Sequence, residues 1–450
     1  MASDTVPRGE HPPGPDGWER VQLLWDLFTN TDAPSEVVDG KTLAEYREEY
    51  GPVVRLETLV GDDVYFLTNP AQVEYVLETN ARNFRKAESR VADLRVLFGD
   101  GVLTASGDDV ARHRGAVASL VSTRTLDSFE DVVVEETEAK VRRWVRSDGA
   151  TNVHSAAIGL VSDVLGRVVF GSDYEDCEDD VHESFELFEQ VMPRVFSPVP
   201  TAPDWLPTPH NRTVERARSI FDDAVSRVVR KRRRNGNDHD DVLGAMLAAD
   251  VDLTDAELRD QTRTLLIAGL VTAPALARAL YALARYPDKL DALRASLPGR
   301  LDAREAGNEE LSYCEQVVDE TLRLYPPIPP AIREAIDDDT IGGYRVPAGS
   351  KLILSQLPIH RDPDLWEDPL AFHPERFADG WNDDRPRYSY FPFSGGPRTC
   401  VGGELARETL KLALATFVID YDLELTDESR GREHAPFESQ TFHVNVERRE

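Results

Sequence analysis

The chain has 450 residues, of which 41% are hydrophobic, so it contains enough apolar material for a large buried core. Its formal net charge of -31 excludes nucleic-acid binding through bulk charge, because phosphate contacts need clustered lysine and arginine. No run of about 18 apolar residues predicts a spanning helix, and the polar segment 1–15 lacks the apolar centre of a signal peptide. We therefore expect a cytoplasmic protein without a transmembrane anchor.

The basic residues are almost all arginine, with 7 lysines against 44 arginines. An acidic, lysine-poor surface suits a cytoplasm rich in KCl, where screening over about 3 Å at molar salt removes self-repulsion. We interpret the composition as halophilic. The alternative is an ordinary acidic protein from a GC-rich genome.

The N-terminal part of the chain is predicted to be mixed. Residues 1–50 form an irregular, Pro-rich segment. The apolar runs on either side of Gly61-Asp62-Asp63 predict a β-hairpin over 53–68. Asn69-Pro70 is a typical helix start and predicts a helix over 70–79.

Between about 110 and 325 the apolar spacing is mostly helical. It predicts helices over 110–122, 126–146, 153–170, 179–192, 211–234, 239–249, 255–285, 287–296 and 308–325. Six prolines in segment 193–209 interrupt the pattern and indicate a functional loop or a linker. We interpret the basic run 230–234 as a solvated helix end, where cations are favourable.

The last part of the chain returns to short strands. They are predicted at 331–336, 344–346 and 351–355, and a final long helix is predicted over 401–419. No repeat and no break in composition divides the sequence. We predict one domain over 1–450 that is mainly α with small β-sheets.

Three cysteines, Cys177, Cys314 and Cys400, do not make a disulfide framework. Only Cys400 has surroundings that change thiol chemistry, because the N-terminus of the helix after it offers N–H donors and a positive dipole end to a thiolate. Gly396 and Gly402 permit tight turns and close approach of the backbone to a flat cofactor. Arg398 can bind a carboxylate.

This segment resembles the haem-thiolate signature of the cytochromes P450, Phe-x-x-Gly-x-Arg-x-Cys-x-Gly. All the fixed positions match, namely Phe393, Gly396, Arg398, Cys400 and Gly402. The resemblance implies the cytochrome P450 fold, with haem b (iron protoporphyrin IX) between the long central helix and the Cys-loop helix. It also implies that Cys400 is the axial ligand of the haem iron, with Phe393 and Gly402 against the cofactor.

Two further motifs follow the family's order and spacing, and the resemblance covers nearly the whole chain. Glu320 and Arg323 match the family's Glu-x-x-Arg and can pair on one helix face. Pro374-Glu-Arg-Phe377 resembles a downstream segment whose arginine, here Arg376, joins that pair. The resemblance implies that Glu320, Arg323 and Arg376 are structural residues.

The resemblance also implies three arginines that bind the haem propionates, Arg114, Arg333 and Arg398. Val110 stands where the family has a tryptophan or histidine before Arg114, so we expect one hydrogen bond to the haem to be missing. His113 is expected to face solvent, and the alternative is that it replaces the missing bond.

Ala268, Gly269 and Thr272 match the family's oxygen-activation motif, Ala/Gly-Gly-x-Asp/Glu-Thr, and are its catalytic residues by resemblance. Val271 replaces the acid, so the usual proton relay from solvent is interrupted. Thr272 is expected to bond to the carbonyl of Ala268 or to orient dioxygen. Pro274 has no N–H, so we predict a kink beside Thr272 and a water there that replaces the acid as proton donor.

The resemblance places an apolar substrate pocket at the haem, lined by Leu265, Ala268, Ile328, Pro329 and Ala331. The substrate is therefore expected to be a hydrophobic small molecule, such as a fatty acid, a terpenoid or a steroid-like compound. No reductase domain is recognisable, so electrons must come from a separate protein, for which we expect a ferredoxin. It is expected to dock on the Cys400 side near Arg112, Arg398 and Arg407, and we expect a monomer.

The leading hypothesis is a monooxygenase that uses dioxygen. Because Val271 replaces the acid, a peroxide-dependent oxygenase or a nitric-oxide-reductase-like enzyme is the second alternative. A non-catalytic haem protein that binds a small ligand is the third, and the retained Thr272 argues against it.

Overall fold

The computed structural model describes residues 11–17, 41–58, 63–107, 109–118, 123–146, 150–195, 205–235, 241–248, 253–297, 310–328, 330–426 and 442–449. The helices in this part of the chain are α1 (Lys41–Tyr50), α2 (Pro70–Glu74), α3 (Glu88–Phe98), α4 (Asp109–Ala118), α5 (Thr123–Arg146), α6 (Val153–Phe170), α7 (Glu178–Val195), α8 (Pro209–Asn235), α9 (Val242–Ala248), α10 (Asp255–Leu270), α11 (Thr272–Arg285), α12 (Pro287–Ser296), α13 (Ser312–Leu324), α14 (Gln356–His360) and α15 (Gly403–Asp420). The strands are β1 (Val53–Leu56), β2 (Val64–Leu67), β3 (Phe84–Arg85), β4 (Thr151–Asn152), β5 (Pro330–Ala335), β6 (Asp339–Ile341), β7 (Tyr344–Val346), β8 (Lys351–Ser355), β9 (Tyr421–Leu425) and β10 (His443–Arg448). The mainly α architecture with small sheets is as predicted.

Side-chain caps explain where several helices begin. The Asn69 side chain accepts the N–H of Ala71 at 3.0 Å, and Pro70 opens α2 as the sequence predicts. The helix then continues as a π-helical turn, Tyr75–Thr79. Thr254 and Glu257 form a reciprocal capping box that begins α10.

The main core lies between the long helices. α6 packs against α5, α10 and α11, while α15 packs against α5, α11 and α13. α11 is almost fully enclosed, with Ala273, Leu276 and Leu283 at most 1% exposed. The long central helix and the helix after Cys400 therefore share one rigid core, which fixes the elements that carry the candidate site.

Three small sheets accompany the helices. β1 and β2 pair antiparallel, which confirms the predicted hairpin, and its residues 59–62 lie outside the described part of the chain. They belong to a five-stranded sheet with the order β1-β2-β8-β5-β3, in which only the β2–β8 pairing is parallel. The other sheets are β4-β10-β9 and β6-β7.

The prediction of an irregular segment over 1–50 is wrong for residues 41–50, which form α1. Leu43 and Tyr46 of this helix are buried against Val54 and Phe66 of the hairpin. Leu43, Tyr46 and Tyr50 stand at i, i+3 and i+7, a helical spacing that was overlooked in this charged segment. Residues 18–40 of the segment lie outside the described residues.

The interpretation of run 230–234 as a solvated helix end is wrong for Arg232, which is 1% exposed. Its guanidinium donates to Asp173 at 2.8 Å, to Asp241 at 2.6 Å and to the carbonyl of Phe170 at 2.7 Å. Asp173 and Asp241 are themselves buried, so the fold needs a buried cation there to compensate their charge. The Pro-rich segment 193–209 begins inside α7 and ends at the first residue of α8, and residues 196–204 lie outside the described residues.

Two stretches are long and apolar enough to cross a membrane by length and composition, namely 153–176 and 255–285. In each, 67% of the apolar window is buried inside the fold. A helix in the core of a globular protein has the same properties, so these two stretches are core helices of this fold.

Candidate active site

Cys400 lies in a loop that folds back on itself before α15. The Cys400 N–H donates to the carbonyl of Phe393 at 2.9 Å, and the Thr399 N–H donates to the carbonyl of Gly396 at 3.1 Å. α15 begins at Gly403, two residues later than predicted, with Gly402 as the capping residue. Cys400 therefore lies immediately before the first turn of α15, where helix N–H groups and the helix dipole favour negative charge.

The thiol of Cys400 is accessible but poorly solvated. The residue is exposed, yet the protein around it raises the pKa of the thiol by desolvation. The backbone N–H of Gly402 and the charge of Arg114 act in the opposite direction. Such a thiol loses its proton when a metal ion binds it, which fits an iron ligand.

Glycine is required at different positions of the loop for different structural reasons. Gly396 has φ +65°, and a Cβ atom on it would lie 1.8 Å from the carbonyl oxygen of Leu77 in the π-helical turn. A Cβ atom on Gly395 would lie 2.3 Å from the ring of Tyr388. A Cβ atom on Gly402 would meet no protein atom within 4 Å, so its small size leaves room for a cofactor instead of a neighbouring element.

Glu320, Arg323 and Arg376 form one buried network. Arg323 donates to the two oxygens of Glu320 at 2.7 and 2.8 Å, and Arg376 donates to the same carboxylate at 3.1 Å. The remaining Arg323 donors bind the carbonyls of His360 and Pro369 at 2.6 and 2.8 Å. The network ties α13 to the segment before the Cys400 loop, and it makes no contact with the thiol, in keeping with a structural role.

The three arginines expected at the haem propionates lie with a fourth cation, Lys86. Burial and the charge of Arg398 lower the pKa of Arg333 to about 10, and burial and Arg114 lower that of Arg398. Burial, together with the charges of Arg398, Arg333 and Arg114, lowers the pKa of Lys86 to about 7. Within the described residues, no ion pair joins any of the four to a carboxylate. Four cations without an acid fit the two propionates of a haem.

Sequence reasoning missed Lys86. It lies directly after β3, and β3 pairs with β5, which carries Arg333. This pairing joins residues about 250 positions apart, and no local pattern around Lys86 indicates it. Knowledge of the strand register would have been the only signal.

The long helix predicted over 255–285 is two helices, α10 and α11, separated at Val271. The helix predicted to be disturbed by Pro274 is therefore interrupted beside Thr272. Thr272 is 9% exposed, and no hydrogen bond joins its hydroxyl to the carbonyl of Ala268 or to another described residue, so the hydroxyl is available to a bound molecule. A Cβ atom on Gly269 would lie 2.6 Å from the Leu165 side chain, so this glycine lets α10 pack closely on α6.

The pocket residues lie on two elements. Leu265 and Ala268 follow one face of α10, and Ala268 is exposed although its helix belongs to the core. Ala331 lies on β5, with 9% exposure, and Ile328 precedes that strand with 38% exposure. Pro329 lies outside the described residues. The placed residues offer an apolar lining.

The expectation that His113 faces solvent is wrong, since His113 is 3% exposed. One ring nitrogen bonds the side chain of Gln261 on α10, and the other lies 3.2 Å from Arg112. The alternative, a replacement for the bond lost at Val110, is not supported either, because both ring nitrogens have protein partners.

The arginines expected to attract an electron donor are largely neutralised. Arg112 binds Asp109 at 3.0 Å and Glu257 at 2.5 Å. Arg407 pairs with Asp319 and lies over the ring of Phe393 at 5.2 Å. The i,i+3 spacing of Asp109 and Arg112 was visible in the sequence, whereas Glu257 and Asp319 come from other helices. Docking of an electron donor at this surface stays a prediction.

The thiols of the other two cysteines are buried and not activated. Cys177 and Cys314 are buried, and burial raises the pKa of each to about 12. The Cys314 thiol donates to the carbonyl of Lys411 at 3.1 Å, which joins α13 to α15. Neither has surroundings that activate a thiol.

Comparison with known proteins identifies the family that this chain resembles. The family model for cytochrome P450 matches residues 12–442. Cyclooctat-9-en-7-ol 5-monooxygenase of Streptomyces melanosporofaciens is 30% identical over 86% of this chain and 88% of its own. Flavonoid 3'-monooxygenase of Arabidopsis thaliana is 29% identical over 92% and 85%. The structure of retinoic acid-bound cyanobacterial CYP120A1 superposes with a TM-score of 0.79 at 25% identity, covering 98% of this chain and 99% of that one.

Proposed function

Because the chain belongs to the cytochrome P450 family and is an oxygen-incorporating oxidoreductase, we propose that it hydroxylates an apolar small molecule with dioxygen. The observation that carries the proposal is the poorly solvated Cys400 thiol at the start of α15, beside four cations without an acid. The named relatives are monooxygenases, which does not favour peroxide-dependent, nitric-oxide-reducing or non-catalytic alternatives.

The residues present fit haem b. Cys400 would bind the iron, and Arg114, Arg333, Arg398 and Lys86 would bind the propionates. When bound, a haem with a thiolate ligand supplies oxygen activation, because the thiolate donates electron density that favours O–O cleavage. Gly402 has no protein atom within 4 Å of its Cβ position and would leave room for the cofactor. Phe393 holds the Cys400 N–H through its carbonyl and so orients the sulfur.

The oxygen side depends on Thr272. Its hydroxyl can donate a hydrogen bond to a bound oxygen atom and accept one from water. Val271 supplies no proton, so protons must arrive through water beside the break between α10 and α11. Pro274 offers no N–H to the carbonyl of Leu270, and this carbonyl is the acceptor that would hold such a water.

We propose that the substrate is a fatty acid, a terpenoid or a steroid-like molecule. The support is the apolar lining by Leu265, Ala268, Ile328 and Ala331. An apolar pocket of this kind cannot compensate a charged group, so the reacting end of the substrate is uncharged.

A spin-state titration tests this proposal. Fatty acids, terpenoids, steroids and retinoic acid are added to the ferric protein in molar KCl while the Soret band is recorded. A ligand that produces the high-spin band is then incubated with ¹⁸O₂ and an electron supply, and we expect one labelled oxygen atom in its product. Leu265→Glu, which places a charge in the pocket, should abolish the band shift and leave the haem content unchanged. Unlabelled product, or turnover with peroxide but none with dioxygen and an electron supply, would contradict the proposal.

Electrons are proposed to come from a separate protein of the ferredoxin type. The chain is matched by the cytochrome P450 model over 12–442, and within that span no flavin or iron–sulfur module is recognisable. Reduction by purified ferredoxin, measured as carbonyl complex formed per second, tests this partner against a flavodoxin.

The setting is proposed to be a salt-rich cytoplasm, with the protein a monomer of one domain. The net charge of -31 with only 7 lysines supports the salt requirement. The urea midpoint of unfolding should rise from low to molar KCl, and an unchanged midpoint would contradict the salt requirement.

Sedimentation in the same buffers measures the oligomeric state, and a dimer would contradict the proposed monomer.

A further inference from the structure

A cleft of about 500 Å³ lies between α5, the C-terminal end of α15 and the β9–β10 pair. Its wall on α5 includes Glu138, Arg142 and Arg146, which follow one another at four-residue intervals and so share one helix face. On α15 the wall includes Thr416. This residue stands thirteen positions after Gly403, so it lies about 20 Å along the helix from the first turn. The cleft is therefore separate from the candidate active site.

The cleft is positively charged although the chain as a whole is strongly acidic. Its wall has three arginines and two acids, in a chain whose formal net charge is -31. Arg142 donates to Glu138 at 3.0 Å, so these two charges compensate each other. Arg146 and Arg448 are exposed and form no ion pair within the described residues. Asp420 is the remaining acid, so two cations and one carboxylate leave one positive charge without a counter-ion.

The strand register explains why Arg448 belongs to the cleft. In β10 it lies opposite Tyr421 of β9, and Val446, two residues earlier, lies opposite Leu423. Tyr421 and Leu423 are buried, so Arg448 stands on the face of the sheet that packs on the helices. It is the charged end of an otherwise apolar row, and it lines the cleft from that position.

Thr416 adds a hydroxyl without a partner. Other threonines in the described helices donate to the carbonyl four residues earlier, namely Thr137, Thr213, Thr262, Thr321 and Thr409. Thr416 is 8% exposed, and its hydroxyl has no hydrogen-bond partner among the residues that the structure describes. A helical threonine has two χ1 rotamers, so this hydroxyl can turn toward a bound molecule. A ligand that accepts its hydrogen bond would offset the cost of leaving it unpaired.

The remaining wall indicates the class of ligand. Val145, Ile419 and Tyr421 line the cleft with apolar atoms, and its volume is that of a small-molecule site. A carboxylate accepts hydrogen bonds from guanidinium groups and from a hydroxyl, while an apolar body would cover the three apolar side chains. Asp420 repels a second negative charge, so the cleft suits a monoanion better than a phosphate dianion.

We propose that this cleft is a second binding site, separate from the haem, for a small molecule that joins one carboxylate to an apolar body. Arg146, Arg448 and Thr416 bind the carboxylate. Such a ligand links α5 to α15 and to the β9–β10 pair, so it stabilises the folded chain. None of these residues takes part in the proposed haem chemistry, so the site does not depend on that function.

Calorimetric titration with octanoate tests the site. The haem-loaded protein is first saturated with 4-phenylimidazole, which binds haem iron and occupies the haem pocket, so that octanoate does not bind there. Arg146→Gln, Arg448→Gln and Thr416→Val change the cleft. Arg143→Gln is the matched control, since Arg143 is also exposed on α5 but does not line the cleft. 1-Octanol and octyl phosphate are the comparison ligands, because they keep the apolar body and change the charge.

We expect one octanoate per chain. Its dissociation constant should rise about tenfold in Arg146→Gln and in Arg448→Gln, because each variant loses a charged hydrogen bond. Thr416→Val should raise it about threefold, and Thr416→Ser, which keeps the hydroxyl, should leave it unchanged. Arg143→Gln should bind like the wild type. 1-Octanol and octyl phosphate should bind at least about tenfold more weakly than octanoate.

Wild-type affinity in both glutamine variants would overturn the proposal, as would the absence of any octanoate binding. Equal affinity for 1-octanol would show that the carboxylate contributes nothing, and tighter binding of octyl phosphate would overturn the assignment to a monoanion. The melting temperature of each variant without ligand is measured beside the titrations. Thr416→Val should melt no lower than the wild type, and a lower melting temperature would show that the hydroxyl is already bonded within the protein.

Discussion

The α-carbon of Gly396 faces the carbonyl oxygen of Leu77 so closely that a Cβ atom would lie 1.8 Å from it. The loop that presents Cys400 and the π-helical turn Tyr75–Thr79 therefore meet backbone to backbone. Positive φ at Gly396 adds a second reason for glycine. The position of the thiol thus depends on a turn more than 300 residues earlier in the chain.

Gly396→Ala should lower the free energy of unfolding by at least about 3 kcal/mol and reduce haem content, because the new methyl group displaces backbone. Gly107→Ala is the matched control, since Gly107 has φ +57° but no atom within 4 Å of its Cβ position. Left-handed strain alone should cost it about 1–2 kcal/mol. Urea unfolding followed by circular dichroism measures both, and equal losses would contradict the contact with Leu77.

Glu320→Gln should destabilise the protein by about 3–5 kcal/mol, because it leaves Arg323 buried without its counter-charge. Both side chains are fully buried. Glu138→Gln is the control, since it removes the acid of a half-exposed pair with Arg142 and should cost no more than about 1 kcal/mol. If both variants unfold at the same urea concentration, the network does not hold this part of the fold together.

The sequence was sufficient to predict a feature of the fold or site where that feature depends on neighbouring residues or on a long motif. The surroundings of Cys400, the Glu320–Arg323 spacing and the break after Leu270 each depend on a few neighbouring residues, and the structure places them as expected. Lys86, Arg232 and His113 could not be assigned in the same way. Their partners come from distant strands and helices. Without knowledge of these partners, a charged side chain or a histidine is expected at the surface.

Acid should weaken the fold through His360, which is fully buried. Burial lowers the pKa of this imidazole to about 3, from 6.5 when unfolded, and its Nε2 accepts the Phe391 N–H at 3.0 Å. The unfolded chain binds the extra proton between pH 6.5 and 3, so stability is lost as the pH falls through this window. The group accounts for about 2 kcal/mol between pH 7 and 5.

His360→Gln, which keeps an acceptor for the Phe391 N–H but does not titrate, should lose correspondingly less stability over the same range. Urea unfolding of both proteins at pH 7 and 5 gives the difference. An identical pH dependence in wild type and variant would show that His360 does not contribute.

Thr272→Val should uncouple electron use from product formation, because it removes the hydroxyl beside the helix break. We expect product per electron pair to fall about tenfold or more, with hydrogen peroxide released instead. Val271→Asp should raise the rate by supplying the missing acid, and Val271→Asn is its uncharged control. Product and peroxide are quantified together, and full coupling in Thr272→Val would remove this residue from the mechanism.

The reduced carbonyl spectrum of the wild type and of Cys400→Ser tests the central claim most directly. The account predicts a thiolate-type Soret band in the wild type and its loss in Cys400→Ser, because an alcohol does not replace the thiolate as electron donor to iron. Haem content measured on the same samples separates loss of the ligand from loss of the cofactor. A thiolate-type band that persists in Cys400→Ser would contradict the assignment of Cys400 as the iron ligand.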